Sequence, residues 1–241
     1  MANPIMKVME QTQVLEGEPM TISGSINKTL ILLGCVVLSA CYTWGLVMKG
    51  FTDLAGMLTM GGVIGGFILA LIVIFTRKAM HILTPLYALA EGLFLGGISA
   101  VYAAQYAGIV MQAVIITFAV LFTMLLLYKA DIIRCTDTFR SVIFTATASV
   151  AIVYLIQIIA SLFGRGIPQI FTASPIGIGF SVVVSLIAAF NLIIDFDFIE
   201  RGTNLMLPKE YEWYGAFGLM ISLIWLYLEI LRLLAKLNSR R

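Results

Sequence analysis

The sequence predicts an all-α polytopic membrane protein, a bundle of seven transmembrane helices. Three observations carry that prediction. Of 241 residues, 61% are hydrophobic and 12% are charged, and the mean hydropathy is +1.02. An average soluble domain carries about 25% charged residues, so these charges are too few to coat a globule of this size, and so apolar a chain does not stay disordered. The apolar residues also gather into seven long runs, each near the ~20 residues that a helix needs to cross the hydrocarbon core. Finally, no run alternates as a barrel strand does. Leu125 to Leu127 and Val182 to Val184 are unbroken, and a helix satisfies its own backbone polar groups in lipid.

Taken in order, the runs cover 29–48, 54–76, 82–105, 109–128, 141–164, 175–198 and 214–237. Lys28 and Lys49 bracket the first, and Arg77-Lys78 end the second. A weak break at 105–108 separates the third from the fourth. Arg140 and Arg165 bracket the fifth. Residues 1–28 read as a polar arm and 29–241 as the membrane domain. The arm does not read as a signal peptide, because Glu10, Glu16 and Glu18 precede the first apolar run.

Lysine and arginine bias sets the orientation. With the N-terminus inside, nine cations lie on the inner side: Lys7, Lys28, Arg77, Lys78, Lys129, Arg134, Arg140, Arg201 and Lys209. Six lie on the other: Lys49, Arg165, Arg232, Lys236, Arg240 and Arg241. The basic tail is unusual for an odd number of spans, and seven full spans are preferred to a re-entrant last run. Gly61, Gly62, Gly65 and Gly66, and again Gly92 and Gly96, have the small-xxx-small spacing that lets helix backbones approach closely.

Ionisable residues at membrane depth are costly and therefore informative. Glu91 sits well inside the third run with no neutralising neighbour on its own helix, and reads either as a hydrogen-bonded packing residue or as a proton or cation site. Asp195, Asp197 and Glu200 close the sixth run. Asn191 and Asp195 are four apart and share a face, whereas Asp197 and Glu200 read as a solvated helix end. Glu229 lies deep in the seventh run. It either pairs locally with Arg232, three residues on, or serves as a second carboxylate facing Asp195. Two carboxylates in one dry site cannot both ionise easily, so their joint titration can move toward neutral pH. Arg77 ends the second run at the depth of Asp195 and could latch to it, or it could be an ordinary inner-side anchor.

Cys35 and Cys41 share one apolar run and Cys135 lies in a charged loop, without metal or disulfide spacing. No HExxH, GxSxG, Walker A or GxGxxG motif is present. No enzyme and no cofactor is expected, and no basic run suits nucleic acid.

Seven runs with a basic end to the second, Asn191-Leu-Ile-Ile-Asp195-Phe-Asp197-Phe-Ile199 in the sixth and Leu226-Tyr227-Leu-Glu229 in the seventh resemble the Bax inhibitor-1 family, the transmembrane Bax-inhibitor-motif proteins. The stretch from Pro85 through Glu91 to Gly96 is similar to a bacterial branch. The resemblance implies a multi-pass protein of the bacterial inner membrane and a pH-sensitive calcium leak. It implies that Asp195 is one of a proton-sharing acid pair, that Glu229 stands where the family has the second aspartate, and that Arg77 is the closed-state latch; with a calcium leak it makes Asp195 and Glu229 candidate calcium ligands, since ionised oxygens are hard donors. It also implies an alternative role, a regulator of a membrane-bound AAA protease or of a stress response, acting through the arm at 1–28. A proton-coupled transporter is a third reading; no inverted repeat accompanies it.

Overall fold

The computed structural model describes residues 18–75, 79–164 and 168–240. Seven of its helices are long and apolar enough to cross a membrane. They are α1 (Ile22–Met48), α2 (Thr52–Phe75), α3 (Met80–Gln105), α4 (Ile109–Lys129), α5 (Asp137–Leu162), α6 (Pro175–Asn204) and α7 (Tyr211–Asn238). A single helical turn, Pro168–Phe171, precedes α6. Among the described residues the only β pairing is one antiparallel bridge, Pro19 to Pro208.

Local chemistry sets several boundaries. Thr21, Thr136 and Ser174 cap α1, α5 and α6 through side-chain oxygens that accept the N–H of Gly24, Phe139 and Gly177, and Pro175 takes the first position of α6, where its missing donor costs nothing. The Thr21 cap starts α1 seven residues before the apolar run does, so residues 22–28 form its first two turns. Similarly, α6 continues past its apolar run, through the acidic cluster, to Asn204. Within the helices, hydroxyls of Thr29, Ser39, Thr43, Thr84 and Thr117 donate to carbonyls four residues back. Each of these hydroxyls thereby has a partner within its own helix, without water.

Helix α7 is the axis of the bundle. It packs against α1, α3, α4 and α6 and is the most buried of the seven. One side joins a cluster of Leu32, Val36, Tyr87, Leu95, Phe217 and Met220, drawn from α1, α3 and α7. The other side joins Ile109, Ala113, Ala188, Leu192, Leu223 and Leu226, drawn from α4, α6 and α7. Helices α2 and α5 are outermost. Met57, Met60 and Phe67 of α2 and Phe144, Leu155 and Ile158 of α5 point outward as large exposed apolar side chains, which lipid accommodates.

Glycine sets the close approaches of α3. A Cβ at Gly62 would stand 2.5 Å from the Ala90 carbonyl oxygen, and one at Gly96 would run into the Ala40 carbonyl oxygen. Gly61 meets nothing, so only the Gly62/Gly66 register of the two overlapping motifs packs α2 on α3. The chain before α1 is tied down too. Met20 N–H donates to Leu207 O at 2.7 Å and Lys209 N–H to Glu18 O at 3.0 Å. The Met20 side chain is buried between Gly202 and Gly215, closing the α6–α7 turn.

Gly96→Ala is expected to cost about 1–3 kcal/mol by forcing α1 and α3 apart. Gly61→Ala, which meets open space, should leave stability unchanged or slightly raised. Thermal unfolding of both variants in detergent checks the pair.

Candidate functional site

Three carboxyl groups lie at membrane depth, each on a different footing. Asp195 of α6 faces α7 beside Gly218, where a Cβ would stand 3.1 Å from Oδ1. Ser222, one turn beyond Gly218 on α7, is the polar side chain beside it. Its Oδ2 is enclosed and has no partner. No described cation pairs with it.

Glu229 of α7 is 1% exposed. Its Oε1 accepts from Arg232 at 2.8 Å, from the Tyr154 hydroxyl at 2.7 Å and from Trp225 Nε1 at 3.2 Å. Arg232 also donates to the Tyr154 oxygen at 2.6 Å and lies 5.0 Å over its ring. Oε2 of Glu229, like Asp195 Oδ2, is enclosed without a partner.

Glu91 of α3 is half-buried against α2, one turn beyond Tyr87. The notch that receives it is Gly66, where a Cβ would stand 2.7 Å from Oε1.

The expected Asp195–Glu229 pair is not formed. Asp195 faces α7 at the level of Gly218 and Ser222, and Glu229 lies seven residues beyond Ser222, about 10 Å further along the axis. The local alternative holds for Glu229, which pairs with Arg232. The reason is connectivity. The turn between α6 and α7 is short, so residues equidistant from it face one another, and Glu229 is much further from it than Asp195. Among the described residues no three His, Cys, Asp or Glu side chains converge as a metal set. Arg77, the expected latch, lies outside the described residues, as do residues 1–17 of the arm.

Asp197 departs from the expected solvated end. It is 6% exposed, and its oxygens receive Arg140 of α5 at 2.6 Å and Arg201 at 2.8 Å. Arg201 also donates to Cys135 O at 3.1 Å. Cys135 is buried in this cluster, not free in its loop. Burial, with Asp197 nearby, pushes its thiol above the usual range. The i, i+4 spacing of Asp197 and Arg201 was visible in the sequence; the reach of Arg140 across to α6 was not.

Two further buried charges carried no sequence signal. Glu212, 1% exposed, pairs with Lys28 of α1 and accepts Thr21 N–H and Oγ1 at 2.8 Å each. Lys236 donates to Ile170 O, Gly177 O and Ser181 Oγ at 3.0, 2.9 and 2.8 Å, which matches the three donors of an ammonium group. Two of the four basic residues after position 230 thus turn into the bundle, Arg232 onto Glu229 and Lys236 onto the start of α6.

Helix α5 is held by a polar stripe. Arg140, Thr147 and Tyr154 are seven residues apart and share one face. They bond Asp197, Asn191 (2.9 Å) and Glu229 in turn. A fourth polar contact, Ser99 to Tyr227 at 2.6 Å, joins α3 to α7.

The sequence profile of Bax inhibitor 1 like proteins matches residues 3–239, nearly the whole chain. The chain belongs to the Bax inhibitor 1 like family. No curated protein gave a significant match. In this Bax inhibitor 1 like protein the acids of α6 and α7 occupy separate sites at two levels, with the arginine of the deeper site supplied by α7 itself.

Arg232→Met would leave the Glu229 carboxylate buried and unpaired, and should cost about 3–5 kcal/mol. Adding Glu229→Gln should recover most of that loss; unfolding of single and double variants in detergent tests the coupling.

At the inner end, the Lys209 ammonium holds the exposed Glu18 carboxyl below its ordinary value, and Glu18 holds Lys209 above its own. A depressed carboxylate contributes above its unfolded pKa and is lost as pH falls through the folded value; a raised lysine is lost as pH rises through its folded value. The strap should therefore hold at neutral pH and loosen in strong acid and strong alkali. Amide exchange at Met20, corrected for intrinsic rates, reports it, and Glu18→Gln should remove the acid step.

Proposed function

We propose that the protein is a proton-responsive leak for cations across its membrane, with calcium the cargo that its carboxylate chemistry suits. One observation supports this most: Asp195 and Glu229, both at membrane depth, each keep an enclosed carboxyl oxygen without a partner. Burying such an oxygen in a dry interior costs several kcal/mol. A proton removes that cost, and so does a hard divalent cation, so the two compete for the same atoms. Intramembrane carboxyl groups that face the bundle interior commonly mark ion or proton paths, and membership of a membrane-protein family agrees with such a role.

In this reading Asp195 is the cation-meeting group, because no described cation already holds it. Glu229 is the guarded group, which Arg232 and Tyr154 hold shut until the guanidinium is displaced. Glu91, in its own notch against α2, is a third proton-accepting position. Protonation thus acts at separate levels of the bundle, and one shared proton is not required.

Purified protein reconstituted into vesicles with a trapped calcium dye tests the proposal between about pH 5 and 8. Wild type should leak calcium with a pH dependence that Asp195→Asn flattens several-fold and Glu229→Gln displaces. Superimposable curves for Asp195→Asn and wild type would remove Asp195 from the mechanism, and vesicles that hold calcium at every pH would end the leak reading.

A further inference from the structure

One apolar cavity has no part in the polar sites. It holds about 290 Å³ and lies between α1 and α4, with α3 and α7 as its floor. Its lining is apolar almost throughout. The Ser99 and Tyr227 hydroxyls at its floor already satisfy each other at 2.6 Å. An ion would lose its hydration there with no replacement ligand, and an apolar cavity of this kind does not hold ordered water.

The position of the cavity indicates what fills it. Helices α1 and α4 do not pack against each other anywhere along their lengths, so the cleft opens sideways. Its neighbours on that surface are large exposed apolar side chains such as Leu38 and Met111, the surface that this bundle turns to hydrocarbon. Along α1 the lining runs from Leu33 to Trp44, eleven residues or about 16 Å of rise. Half of a ~30 Å hydrocarbon core is about 15 Å. The cleft also begins near the membrane-end of each wall: Trp44 is close to the end of α1 at Met48, and Val110 is the second residue of α4. It is thus as deep as one leaflet and lies in the leaflet away from the N-terminus.

We propose that this cleft seats one acyl chain of a membrane lipid, which completes the packing between α1 and α4. The bilayer is the solvent at its mouth. Lipid tails are as apolar as leucine, so a chain that enters gives up no polar contact. It gains contacts on both walls and on the floor formed by Leu95, Met220 and Ile224. The inference is independent of the calcium reading and stands or falls separately.

A phosphatidylcholine carrying a photoactivatable diazirine on its acyl chain, incorporated with the full-length protein into vesicles, tests it. After irradiation, adducts mapped by peptide mass spectrometry should concentrate on 33–44 and 110–118, several-fold above those on α2 and α5. Val114→Phe and Ala40→Leu fill the cleft from opposite walls. Each should lower those adducts several-fold while leaving the α2 adducts unchanged, a pattern that unfolding does not produce. Adducts spread evenly over all outward faces, or adducts unaffected by both variants, would overturn the proposal. So would a chain-to-chain cross-link at these residues in place of lipid, which would assign the cleft to a second copy.

Discussion

A charged side chain inside a bilayer has no water to fall back on, and this protein meets that condition by closing nearly every buried charge within the bundle. Glu212 has Lys28, Asp197 has two arginines, Glu229 has Arg232, and Lys236 has three neutral oxygens. Apart from Glu229 with Arg232 and Asp197 with Arg201, these contacts join elements distant in sequence. The charges therefore act as fasteners: α1 to α7 at the end where α1 begins, α5 to α6 beside it, and the start of α6 to the end of α7 at the opposite end. Removing one partner leaves an uncompensated charge, which is far more costly than never having had the pair.

Helix α7 bears most of this load because it has neighbours on all sides. Four of its residues, Glu212, Glu229, Arg232 and Lys236, carry buried or half-buried charge, and both apolar clusters use it. Helix α5 is the opposite case. It is the least buried span and is held through Arg140, Thr147 and Tyr154 to polar partners at three levels. A helix attached by few apolar contacts and several directional bonds takes its position from the pairing of those partners.

Glycine has a second use here beyond helix approach. Glu91 lies against Gly66, Asp195 against Gly218 and Glu212 against Gly24. In each case the absent Cβ makes a notch into which a carboxyl group folds, close to the backbone of another helix. These carboxyl groups are thereby kept within the bundle without widening the helix spacing, and none of them lines the apolar cleft between α1 and α4.

Seven membrane helices, their approximate spans and the residues worth watching were legible from the sequence, because hydropathy is summed over about 20 residues and a rare charge in such a run stands out by itself. Family membership was legible from the order of motifs along the runs. Partnership was not. Glu229 with Arg232 was one of two readings left open, Asp197 looked solvated, and Lys28, Arg140 and Lys236 looked like ordinary boundary charges. Local spacing ranks neighbours on one helix, but it is silent on which faces of separate helices meet and at what depth. That was decided by the short α6–α7 turn, which matches residues by their distance from it and so separates Asp195 from Glu229, and by glycine positions that fix how closely α3 approaches α1 and α2. The solvent determined the helices, and packing between them determined which charge answers which.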